Sequence, residues 1–226
     1  MELGDSWDSS VPLPAPVLVP GAPATSRTVD APAAYHDGVR AVVEIAGRFT
    51  TSAWDNPTPC PEWRAADLAG HLRCVADDYH EYLDDAPVSR LARLMATGAH
   101  ADAIARKMAR QNAAELAALP DVPPLVHIAA FAESASRYAM RLGPLLGLPH
   151  HTYRGMVITV AGMAGAACVE WHVHAWDLAR ALDEIYRPAD PAAVLAAWLA
   201  GIPQLPIRAG DDPWIAVLRA SGRLPG

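Results

Sequence analysis

Apolar residues recur at three- and four-residue steps along most of the chain, the spacing of one buried helix face. In "DAPAAYHDGVRAVVEIAGRFTTSAW" that face comprises Val39, Val42, Val43, Ala46 and Phe49. "DNPTPCPEW" then interrupts the pattern with three prolines, which remove backbone donors and fix a rigid connector. A second helix is expected in "RAADLAGHLRCVADDYHEYLDD", with Leu68, His71, Leu72 and Val75 on its inner face. Asp67 falls in its first turn, where a carboxylate complements the helix dipole.

Beyond it, "PVSRLARLMATGAHADAIARKMARQNAAELAALP" supplies one long helix or two shorter ones, stopped by Pro120. "PPLVHIAAFAESASRYAMRLGPLL" gives another, with prolines at its first turn. The longest apolar helix is expected from Gly155 to about Leu182, followed by a shorter one in "DPAAVLAAWLA" and a last turn or two in "DDPWIAVLRASGRLPG". No alternating run of β-branched residues is bounded by hairpin turns. The pattern therefore predicts an all-α bundle of antiparallel neighbours. Residues 1–28, rich in Pro, Ser and Ala without periodicity, read as a flexible tail, leaving 29–226 for the helical domain.

Composition narrows the function classes. The net charge of −7 comes without any Lys/Arg cluster, and Lys107 is the only lysine, so a nucleic-acid surface has no electrostatic support. Cys60, Cys74 and Cys168 are an odd, scattered set that suits a reducing compartment better than a disulfide framework. The N-terminus lacks a basic region and prolines break its apolar run, which speaks against a signal peptide. The longest apolar stretch ends in a polar cluster and does not read as a membrane span. The expectation is a cytoplasmic protein acting on a small molecule, with neither nucleic acid nor membrane as partner, and with room for a homodimer.

That polar cluster is "ACVEWHVHAWDLARAL". On a helix, Glu170 and His174 share a face, Asp177 lies close beside them, and His172 points nearly the other way. A carboxylate and an imidazole four residues apart can ligate one ion, and a third ligand from a facing helix would leave a coordination place open. His71 suits that role best. His36 lies near a helix start, His80 among acids and His100 in a polar stretch; His127 opens a helix, and His150 and His151 fall in a Pro/Gly-flanked loop. Glu170 and His174 read equally well as a buried hydrogen-bonded pair.

The other polar residues have bland readings beside functional ones. Asp177 can orient a ligating histidine or pair with Arg180 or Arg73. Cys74 is either a thiolate ligand or a small buried hydrophobe, and Cys60 packs in its connector. Trp63, Trp171 and Trp176 read as packing residues, and His172 as a satisfied interhelical histidine. H-E-x-x-H, E-x-x-H, G-x-S-x-G, C-x-x-C and G-x-G-x-x-G are all missing from the sequence.

"PTPCPEWRAADLAGHL" resembles the N-terminal signature of the mycothiol-dependent maleylpyruvate isomerase family within the DinB-like superfamily, and "VEWHVHAWDLARAL" resembles its second signature. The resemblance spans about residues 30–185. It implies a four-helix bundle with one or two accessory helices, holding a divalent metal on His71, Glu170 and His174. It further implies zinc (with nickel, cobalt or iron as alternatives) and mycothiol or another small thiol as cosubstrate. The full isomerase has a second α/β domain that contributes an arginine. The short remainder after Leu182 leads us to expect that domain to be absent, and no motif marks Arg208, Arg219 or Arg223 as its equivalent. Three functions stay open: thiol transfer or isomerisation, thiol-independent metal catalysis, and a non-catalytic module closed by a fourth ligand such as Cys74.

Overall fold

The computed structural model describes residues 31–61, 63–85, 89, 93–94, 101–153, 156–201, 207–208 and 210–225. The expected tail at 1–28 and His100 lie outside the described residues. Four helices make the bundle: α1 (Ala31–Ala46), α2 (Ala65–Asp84), α4 (Pro124–Leu142) and α5 (Val160–Ala181). Three more accompany it: α3 (Ala101–Ala118) against α2, α6 (Pro191–Gly201) against α5, and α7 (Pro213–Ala220) against α6. No described helix is long and apolar enough to cross a membrane.

Within the bundle α1 runs along α5 and α2 along α4, with α1 also touching α4 and α2 touching α5. Trp171 on α5 is fully buried where these helices meet. Its ring lies edge-on to Phe131 at 4.9 Å, Tyr79 at 5.7 Å and Tyr35 at 6.2 Å, the offset geometry that aromatic quadrupoles favour. Small residues let backbones close in around it. A methyl group on Gly165 would lie 1.9 Å from the carbonyl oxygen of Ala197 on α6, and one on Gly38 would lie 3.0 Å from the Trp171 side chain. α5 is thus packed on nearly every side, and sixteen of its residues, Asp177 among them, are buried.

The structure modifies three details of the sequence reading. Val43 is 40 % exposed; of the expected α1 face Val39, Val42 and Ala46 are buried, joined by Tyr35 and Ile45, with Phe49 just beyond the helix. The apolar run at 156–159 is extended rather than helical. It forms β2 (Met156–Thr159), paired antiparallel with β1 (Pro149–Tyr153), and α5 starts only afterwards, capped by the Thr159 side chain. His150 and His151 therefore sit in a strand and are buried, not in an open loop. An irregularity in register between Pro149 and His151 accompanies a 2.9 Å approach of His150 Nδ1 to His151 Nδ1. Such bulges re-aim neighbouring side chains that would otherwise alternate across the strand.

Candidate metal centre

Both helices that carry the candidate ligands are anchored locally. At the start of α2 the Asp67 carboxylate accepts the Arg64 backbone N–H at 2.9 Å, one half of a capping box, which satisfies that donor at the helix end. His71 follows one turn later and is buried, and the half-buried Trp63 ring leans on its imidazole at 4.6 Å. On α5 the four-residue step brings His174 Nε2 to 3.1 Å from Glu170 Oε1. His71 Nε2 approaches the same oxygen at 3.6 Å, with the two imidazoles edge-to-face at 5.1 Å. One donor atom from each of the three side chains lies within 4.8 Å of the others.

Exposure within the trio is uneven. The His71 and His174 side chains are 4 % and 6 % exposed, whereas Glu170 is 38 % exposed. The group is thus walled by protein on the histidine side and reachable from solvent beside the carboxylate. Cys74 joins no candidate ligand group among the described residues; it is half-buried, and burial, then Glu115, pushes its thiol up to about 11. A thiol so reluctant to ionise is a poor ligand.

Behind His174 stands a second layer. Its Nδ1–H donates to Asp177 Oδ2 at 2.9 Å. Asp177 is completely buried and also takes a two-pronged contact from Arg223, Nε to Oδ1 at 3.1 Å and Nη2 to Oδ2 at 2.7 Å. The Cys60 thiol donates to Asp177 Oδ2 at 3.2 Å and accepts from Arg223 Nη2 at 3.1 Å. Burial opposes charge on Asp177, but His174 and Arg223 hold its carboxyl below the usual range. An ionised Asp177 can only accept, so the proton on that side of His174 belongs to Nδ1.

This fixes what the front of the site lacks. With Nδ1 protonated, a neutral His174 aims the Nε2 lone pair at a carboxylate oxygen, and His71 Nε2 faces the same point. The Nε2 lone pair of a neutral His174 and the Glu170 carboxylate repel unless a proton or a metal ion lies between them. In the ion-free chain the proton fills that role. Burial favours the neutral His174 ring, but hydrogen bonds to Asp177, Cys60 and Glu170 raise its pKa well above the ordinary value. Glu170, likewise against burial, is held far below the carboxylate range by the two histidines. Two imidazoles and one carboxylate, with a carboxylate behind one imidazole, are a donor set that suits a divalent ion.

Cys60 and Arg223 were not visible as site residues in the sequence. Cys60 arrives on the proline-rich connector, which is tied to α5 by Asn56 Nδ2 donating to the carbonyl of Ala181 at 2.8 Å. Arg223 arrives from the C-terminal segment. α7 ends with Gly222 in the left-handed region at φ 77°; the Arg223 N–H reaches back to Leu218 O at 2.8 Å and the Gly222 N–H to Arg219 O at 2.9 Å. That double bond pattern is the Schellman helix stop, which only a residue free to adopt positive φ completes cheaply. The Ser-Gly-Arg run after the mostly apolar "PWIAVLRA" was its one sequence signal.

No curated protein and no solved structure matches the chain. A family model does, that of the mycothiol maleylpyruvate isomerase N-terminal domain, over residues 35–179. The match takes in the connector, α2 and nearly all of α5, hence His71, Glu170 and His174, and stops short of α6, α7 and Arg223. Extending over more than half the chain, it establishes that this protein belongs to the mycothiol maleylpyruvate isomerase N-terminal domain family.

Proposed function

We propose that His71, Glu170 and His174 hold one divalent ion, zinc by donor type, and that the protein is a metal-dependent enzyme using mycothiol or a related small thiol. The observation that carries this reading is the convergence of two imidazole nitrogens and a carboxylate oxygen within 4.8 Å of one another, with Glu170 the most exposed of the three. When bound, the ion would supply Lewis acidity that favours deprotonation of a coordinated thiol near neutral pH.

The chain's own residues would do the rest. Asp177 keeps the proton on Nδ1 of His174, so that Nε2 presents its lone pair forward. Trp63 covers one side of the buried His71 ring and helps to keep water from it. The half-exposed Glu170 edge is where an incoming molecule would enter. On the substrate, the thiolate would form a C–S bond at an electron-poor alkene carbon and push the π electrons onto the conjugated carbonyl. Proton uptake at the neighbouring carbon completes S-transfer. Alternatively, rotation about the new single bond and departure of the thiolate restore the alkene with inverted geometry.

The test pairs metal analysis with turnover. Purified protein should carry close to one divalent ion per chain, with large losses in His71→Ala and Glu170→Ala. Cobalt-substituted protein should change its visible spectrum on adding mycothiol. Unchanged metal content in both variants would remove the site; an unresponsive cobalt spectrum would leave a metal enzyme that does not use the thiol.

A further inference from the structure

His174 offers a cation two faces. Nε2 belongs to the trio with His71 and Glu170, while Nδ1 belongs to a second group, in which donor atoms of Cys60, His174 and Asp177 also lie within 4.8 Å of one another. All three members of that second group are buried, and it contains a thiol, the donor that zinc and related ions favour. On donor chemistry alone it rivals the first.

Arg223 separates the two. Its guanidinium touches both non-imidazole members of the second group, making the two contacts to Asp177 described above and a third to Cys60 Sγ. Nη1 is spent on the carbonyl of Ser221 at 2.9 Å, which locks the fork from behind. A metal ion on Cys60 and Asp177 would have to expel a positive charge that is four-fifths buried and bonded on both sides. Among the described residues, the ion pairs of His71 and Glu170 are with one another and with His174, and no guanidinium bonds to them. Arg223 lies beyond the segment that the family model matches, so this device is carried by the chain's own C-terminal segment.

We propose that Arg223 is a positioning residue that decides which face of His174 takes the metal. It occupies the cation place of the Cys60–His174–Asp177 group, holds Asp177 as acceptor for Nδ1–H, and so commits Nε2 to the ion shared with His71 and Glu170. This rests on the metal reading above for the first trio, but not for the exclusion of a cation from the second.

Cobalt(II) titrated into metal-free protein tests it, because a thiolate ligand gives a strong near-ultraviolet charge-transfer band that nitrogen and oxygen ligands do not. The parent should bind cobalt without that band. Arg223→Gln should acquire it, and Cys60→Ser in the Arg223→Gln background should abolish it again. In that double variant cobalt affinity should fall about 10–100-fold below the parent, the usual cost of losing an outer partner of a ligating histidine. Arg223→Lys keeps the charge and should keep the parent spectrum.

A parent spectrum and affinity in Arg223→Gln would overturn the proposal. Should Arg223→Gln fail to fold, the parent still decides, since a thiolate band at one equivalent of cobalt in the folded parent would overturn it too. A parent that binds no cobalt, beside an Arg223→Gln variant that binds through Cys60, would sink the metal reading of the first trio and leave the role of Arg223 standing.

Discussion

His172 and His174 stand two residues apart on α5, yet they turn to opposite sides of it and meet different chemistry. His172 faces α1. Its Nε2–H donates to the carbonyl of Ala34 at 2.8 Å, and its Nδ1 accepts from the Tyr186 hydroxyl at 2.5 Å. Burial lowers its pKa, so the ring is neutral with both nitrogens satisfied by protein. His174 faces α2. One nitrogen is satisfied by Asp177, while the other is aimed at a carboxylate oxygen that a second histidine also approaches. A buried polar group with every partner supplied is architecture. On the α2-facing side the contact between imidazole and carboxylate is held by a shared proton, whose place a metal ion can take. The comparison teaches that burial and residue type do not distinguish the two; the partner's polarity does.

The largest effects should come from the α2-facing side. His71→Ala or Glu170→Ala should weaken zinc binding by more than the roughly 10–100-fold that outer partners cost, with the far-UV circular dichroism unchanged. A variant that retained parental affinity by calorimetric titration would erase the distinction between the two faces.

On the packing side the expected loss is of stability. Gly165→Ala forces a methyl group into the Ala197 carbonyl, and Trp171→Ala empties the centre of the aromatic cluster. About 3 kcal/mol or more is expected for each from overpacking and cavity formation. Zinc stoichiometry in the folded fraction should be unaltered. His172→Leu should cost about 2 kcal/mol in denaturant titrations, by leaving the Ala34 carbonyl without its donor, and should leave zinc affinity within a factor of two.

The pH dependence sharpens the contrast further. Burial, followed by the neighbouring His150, lowers His151 from 6.5 to about 4, and burial also lowers His150 and His172. Groups with depressed folded pKa bind more protons when unfolded. Their contribution is therefore fully present above about pH 6.5 and drains as pH falls towards 4. Metal-free protein should lose up to about 1.4 kcal/mol per pH unit from His151 across that window, with losses of the same sign from His150 and His172. A flat stability profile between pH 6.5 and 4.5 would mean that these rings are not buried as described.

The smallest effect concerns the end of α5. Asp183 adopts φ 57° at the helix stop, where its N–H bonds to Arg180 O and the Glu184 N–H to Ala179 O. Asp183→Gly should stabilise the fold by up to about 1 kcal/mol without touching metal affinity.

Much of this was legible in the sequence because it depends on helical period. The Glu170/His174 step and the central place of His71 on an apolar face are one-dimensional patterns, and the bundle follows from the same spacing. The rest depends on tertiary convergence. Cys60 sits in a loop whose path is set by Asn56 reaching Ala181, and Arg223 follows a helix stop a whole domain away in sequence. Neither lies on a periodic face, so no spacing rule brings them to Asp177. The hairpin escaped for another reason. Its strands have five and four residues, and the second runs straight into the apolar helix, so the change from one period to the other is hidden in a continuous hydrophobic run.

X-ray absorption at the zinc edge of the loaded protein tests the central claim most directly. The account predicts one zinc per chain with two imidazole nitrogens and oxygen donors, all near 2.0–2.2 Å, and no sulfur shell. A zinc–sulfur distance near 2.3 Å, or the absence of imidazole scattering, would contradict it.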